Sequence, residues 1–360
     1  MGIDGGPAQA TGARTGDEAG RTTVPPSGAA TEGGTAPSGG RFSRGSAADW
    51  IGRYAVLVVL AAMILGFSLA LPNTFFQAQN FRTIAGQQAV PGLLALALMT
   101  TLIAGDFDLS IAGTMTLAGT VAIGLQIDQG WAWPLAVLVS LAIGAFIGFF
   151  NSLTVVRLGM NSLIATLAVG TILGGFVSWQ TGGGTIYGDV SPQFTDLGRW
   201  KFLFDIPGSV VYLVAIGLVL WFLFTRTVFG NYLFATGSNR SAARLSGIQT
   251  TSVRTVAFVM TGLISAFAGV LFAANVGSGQ PGIGEQFLLP AFAAAFLGAT
   301  TLVPGRFNVW GTIAGIYLLA VGLAGLQQLG APSYVQPIFN GTALLVAIGL
   351  STLLRRNANR

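Results

Sequence analysis

Two carboxylates stand two residues apart in the stretch AGDFDLSIAG (104–113), and Asp106 and Asp108 are the only acids between Asp49 and Asp128. Carboxylates among apolar residues relay protons, line a polar path or cap a helix, because an unsupported charge is costly there. These two fall where one long apolar run ends and the next begins. Capping the positive end of the following helix is the favoured role, ahead of lining a re-entrant cavity or relaying protons. The other polar groups set in or beside apolar runs are amides: Gln87, Gln88, Asn161, Asn275 and Gln280. An amide both donates and accepts, so it can serve a translocation path for a solute or tie helices to one another.

Much chemistry is excluded by absent residues. With no histidine and no cysteine there is no imidazole base, no disulfide and no Cys/His metal site. The one lysine, Lys201, follows a tryptophan rather than a glycine, so the phosphate-cradling G-x-x-x-x-G-K-[ST] loop is missing and any ATP must be used by a partner. No G-x-S-x-G elbow occurs either. The sequence therefore assigns no catalytic residue, no metal and no cofactor. The net charge of +5 is scattered rather than gathered into a patch, which argues against nucleic acid.

The elements that must carry these groups follow from charge scarcity. Only 8% of residues are charged, against about 25% in soluble domains. Between Arg53 and Arg355 the uncharged runs are 54–81, 83–105, 109–127, 129–156, 158–188, 206–225, 255–284, 286–305 and 307–354, the last broken by QQLGAPSYVQP at 327–337. A spanning helix needs about 20 apolar residues. The runs are continuous rather than alternating, so they read as helices and not as barrel strands. This predicts an all-α polytopic membrane protein with about ten transmembrane helices at 51–356, bathed in lipid. Residues 1–50, rich in Gly, Ala, Ser, Thr and Pro, read as a disordered tail. Alternating the connections between two sides gathers fourteen of the seventeen basic residues with the termini and leaves Arg82, Arg199 and Lys201 opposite. The positive-inside rule then puts both termini in the cytoplasm of a multi-pass cell-membrane protein. The longest outer connection, 181–207, has room for a short external helix.

One inner connection, 226–254, is more sharply punctuated than a plain loop. In FGNYLFATGSNRSAARLSGIQ, Ser238 or Asn239 can N-cap a short helix and Gly247 can end it in a left-handed turn. Two turns of helix do not persist unaided, so this one needs packing or a partner. From the residues alone, an ordinary positively charged loop is the simpler account.

The same stretch resembles the cytoplasmic coupling loop of permease subunits in ABC importers for ribose, xylose and related molecules. GDFDLSIAGTMTLAG (105–119), NSLIATLAVGTILGG (161–175), GSGQPGIGEQFLLPAFAAAFLGATTL (277–302) and GRFNVWGTIAGIYLLAVGLAGLQQLG (305–330) agree with that family in order and spacing. The resemblance covers roughly 72–355. It implies a channel of two permease copies, expected as a homodimer. Each copy would be contacted by a cytoplasmic ATPase subunit, with an extracytoplasmic binding protein delivering solute, a monosaccharide by analogy. It also implies that Asn239, Ala242, Ala243, Arg244, Leu245, Ser246 and Gly247 dock on the ATPase, with Gly230 and Gly237 setting the loop's entry. The chain departs from the family where Arg240 and Ser241 replace the usual acidic residue after the loop Asn, and where Pro304-Gly305 replaces a double glycine. The alternative reading is a secondary transporter driven by an ion gradient.

Overall fold

A computed structural model describes the backbone of residues 47–358 and the side chains of 53–352; the tail assigned to residues 1–50 lies outside it up to position 46. Backbone groups in hydrocarbon must bond within their own segment, and the described residues are accordingly helical. Helix α1 spans Ala47–Ala70, α2 Ala78–Gln87, α3 Ala89–Ile103, α4 Ile111–Ile127, α5 Trp133–Ser152 and α6 Ser162–Thr181. After a short helix, α7 (Pro192–Arg199), come α8 (Gly208–Arg226), α9 (Val228–Ser238), α10 (Arg240–Leu245), α11 (Thr250–Val276), α12 (Glu285–Gly298), α13 (Val309–Gln328) and α14 (Val335–Ala358).

Among the described residues eight helical stretches are long and apolar enough to cross a membrane, with α2 and α3 counted as one, and α4 and α12 are shorter apolar helices. These are the ten runs read from the sequence, with three differences. The second span starts at Ala78 and takes in Arg82, which pairs with Asp205 at 3.4 Å. It also breaks at Gln88, whose φ of −88° and ψ of −4° leave the helical path. The seventh span, α11, begins at Thr250 and so carries Arg254 in its second turn.

The α2–α3 span is the centre of the bundle, and every residue of α3 is buried. Helix α11 lies beside it, fixed in part by Thr261 Oγ1 donating to the Ala97 carbonyl at 2.8 Å. On its other side α11 packs against α5 through bare backbone. The G-x-x-x-G pair Gly144 and Gly148 meets Gly262 and Phe258 so closely that a Cβ at any of the three glycines would overlap a carbonyl oxygen opposite. Arg199 at the end of α7 donates to the carbonyls of Asn275 (2.7 Å) and Val276 (3.1 Å), placing a cation at the negative end of α11.

Gly262→Val should therefore force α5 and α11 apart and destabilise the fold by about 1–3 kcal/mol. Gly175→Ala, where nothing lies within 4 Å of a new Cβ, should leave it unchanged. Thermal unfolding of the detergent-purified chain compares the two.

Candidate functional site

The connection from α8 to α11 contains two helices where the sequence suggested one. Helix α9 forms because Leu233 is fully buried and Phe229 and Phe234 pack on the main core, while Thr227 N-caps it by accepting from Gly230 N–H at 3.4 Å. Gly230 lies against the Phe224 carbonyl and Gly237 against the Ile103 carbonyl, and neither place has room for a Cβ. The loop entry thus rests directly on the end of α3.

Helix α10 follows with the expected punctuation. Asn239 is its N-cap, its side-chain oxygen accepting from Ala242 N–H at 3.0 Å, and Gly247 beyond it sits at φ +83°. Ser246 Oγ donates back to the Ala242 carbonyl at 3.0 Å. Ala243 faces inward and is buried, while Ala242, Arg244, Leu245 and Ser246 are exposed. Leu245 is 90% exposed, next to the buried Ala243 face.

Asp106 does not cap α4. Its carboxylate is gripped from two sides by arginine: Arg254 makes a two-pronged contact, Nε to Oδ2 at 2.6 Å and Nη2 to Oδ1 at 2.8 Å, and Arg240 of α10 reaches Oδ1 at 3.4 Å. A buried carboxylate needs such partners. Asp108 lies closer to the expected role. It accepts from the backbone N–H of Ser110 (2.9 Å) and from Ser110 Oγ (2.7 Å) just before α4 begins, with Asn151 Nδ2 at 3.4 Å. Burial pushes its carboxyl up to about 6, against the lowering effect of these hydrogen bonds.

At the opposite end of the bundle the amides assemble around a cavity of about 490 Å³, within the range of small-molecule sites, about 300–1,000 Å³. Gln87 and Gln88 enter from the α2–α3 break and Asn275 from the last turn of α11. Three amides that sequence reasoning passed over complete it: Gln286 in the first turn of α12, Gln327 at the end of α13 and Gln336 at the start of α14. Phe272 and Phe287, with ring centroids 5.9 Å apart at 63°, form an apolar wall. Every polar side chain lining the cavity is an uncharged amide.

Two expected path residues stand elsewhere. Asn161 N-caps α6, accepting from Leu163 N–H (3.0 Å) and Ile164 N–H (3.3 Å). Gln280 turns to Ser278 Oγ at 3.3 Å in the α11–α12 connection. Asn161 thus satisfies orphan groups at a helix terminus, while Gln280 is tied to a neighbouring side chain.

A family model described as branched-chain amino acid transport system / permease component matches residues 80–348. The chain belongs to this permease family. The ribose import permease protein RbsC of Bacillus subtilis (strain 168) is 32% identical over 291 residues, covering 80% of this chain and 90% of its own. RbsC of Escherichia coli (strain K12) is 30% identical over 308 residues, with 83% and 93% covered. The xylose transport system permease protein XylH of the same strain is 28% identical over 364 residues, with 85% and 93% covered. The permease is accordingly a multi-pass membrane subunit of an ABC importer and not an enzyme, and the ion-gradient alternative is set aside.

Asn239→Ala should remove the acceptor of the Ala242 amide and weaken α10 by about 1 kcal/mol. Amide exchange across 240–246 should then quicken about fivefold, whereas Asn239→Asp should keep the wild-type rate.

Proposed function

We propose that the permease forms the translocation path for a neutral monosaccharide, and that the amide-lined cavity is where the solute is held. The observation carrying this is the cavity's chemistry. Hydroxyl groups each donate and accept, which matches amides point for point, and an aromatic wall suits the apolar face of a sugar ring. The family model's description names branched-chain amino acids, but a zwitterion taken from water needs charged partners, and the cavity lining offers only neutral ones. Ribose and xylose, the sugars for which the relatives are named, fit the same lining.

In this reading α10 is the contact for a cytoplasmic ATPase, supported by the exposed Leu245 beside a capped and anchored helix. Arg157, Arg226, Arg240, Arg244, Arg254 and Arg306 lie at the α10 end of the bundle and Arg82, Arg199 and Lys201 at the cavity end, which supports a cytoplasmic α10 and an outward cavity. A binding protein would deliver solute to that outer face, and a second permease copy would complete the channel.

The test is uptake into vesicles holding the permease with its ATPase and binding protein. Labelled D-ribose or D-xylose should be accumulated with ATP and L-leucine should not. Gln286→Leu with Gln327→Leu should reduce sugar uptake by about thirtyfold, as expected when hydroxyl partners are lost at about 1 kcal/mol each. Deleting 238–247 should abolish stimulation of the ATPase. Leucine uptake, or an intact response after the deletion, overturns the reading.

A further inference from the structure

Two of the helical rods that present amides to the cavity are joined to one another at their far ends. The α2–α3 span carries Gln87 and Gln88 near one end and runs into Asp106 just past the other. Helix α11 carries Phe272 and Asn275 near its end and Arg254 in its second turn. The Asp106–Arg254 contact, with both side chains at least nine-tenths buried, locks these rods together. Asp106 is itself held by its backbone N–H donating to the Thr101 carbonyl at 3.0 Å, after a left-handed turn at Gly105 (φ +81°).

Only one charged side chain of α10 reaches this joint. Arg240 contacts Asp106 at 3.4 Å, its side chain is 39% exposed, and its Nε is buried without a hydrogen-bond partner. That arm is longer and less complete than the grip of Arg254, so it is the one that yields first when α10 is displaced. Beside it Gly237 bears on the Ile103 carbonyl, so a push on α10 meets the end of α3 directly and a pull is resisted by Arg240.

We propose that Asp106 is a positioning residue for transport: it is the joint through which displacement of α10 is passed to both cavity-lining rods, with Arg254 as the fixed arm and Arg240 as the yielding one. This rests on the reading of α10 as the ATPase contact. It assigns Asp106, Arg240 and Arg254 to energy coupling rather than to solute binding, and it gives the arginine that follows Asn239 a partner inside the permease instead of on the ATPase.

The experiment measures labelled D-ribose accumulated per ATP hydrolysed by the complete transporter in vesicles, alongside ATPase association and thermal stability. Arg240→Ala should lower sugar moved per ATP by about three- to tenfold, within the span of coupling losses for residues touching neither ligand. ATPase association and melting should stay as in the wild type, and Arg240→Lys should restore most of the ratio. Combining Arg240→Ala with Asp106→Asn should cost no more than Asp106→Asn alone, because both break one link. An unchanged ratio for Arg240→Ala with the ATPase still bound overturns the joint and leaves the docking reading standing. Loss of ATPase association in Arg240→Ala overturns it too, since Arg240 would then be a contact for the partner. Leu245→Arg separates the two ideas: if it leaves ATPase association intact, the docking reading itself fails.

Discussion

Hydrocarbon offers a peptide group no hydrogen-bond partner, and this decides where the chain may depart from a helix. Three departures from helix show how protein covers such groups. The α2–α3 span bends at Gln88 beside a polar cavity. The 104–110 connection is satisfied by Ser162 and Thr166, whose hydroxyls accept from the N–H groups of Phe107 and Leu109 at 3.1 and 2.9 Å. The α12–α13 connection is tied to α1, where the Arg53 carbonyl accepts from Leu302 N–H at 2.7 Å and Thr301 Oγ1 at 2.8 Å. Each of these three segments lies where helices meet or beside the cavity, as the cost of exposed backbone requires.

The same constraint shapes the packing between helices. Lipid tails are as apolar as leucine, so burying more leucine does little to hold two spans together, and close backbone approach has to serve instead. The α5–α11 seam at Gly144, Gly148 and Gly262 does this along its length, and Gly237 against Ile103 repeats it where α9 meets the bundle. A stiff central pair, α3 and α11, results. One end of that pair carries the neutral amides of the cavity and the other the buried Asp106–Arg254 ion pair.

Local features were legible from the sequence because they are made by neighbours. Charge-free runs gave the spans, and the Asn239 cap and the Gly247 turn could be read within ten residues of one another. The joint was hidden because Asp106 and Arg254 are 148 positions apart, and nothing local distinguishes Arg254 from the other basic residues at that end of the bundle. Helix α9 was hidden because its apolar face is set by tertiary contact with the core. The cavity was half visible: Gln87, Gln88 and Asn275 stood out beside long apolar runs, while Gln286, Gln327 and Gln336 looked like ordinary helix-end residues. Asn161 takes the helix-end role that an amide there most often has, and Gln280 bonds to Ser278 within the α11–α12 connection.

The neutrality of the cavity also bears on what the transporter works against. Moving one elementary charge through a membrane potential exchanges about 2.3 kcal/mol per 100 mV. Under the proposed function the cavity holds a neutral sugar, whose passage neither draws on the voltage nor opposes it. The work done on such cargo is then set by its concentration on the two sides alone, and would be the same in a fully energised cell as in one whose membrane potential has collapsed.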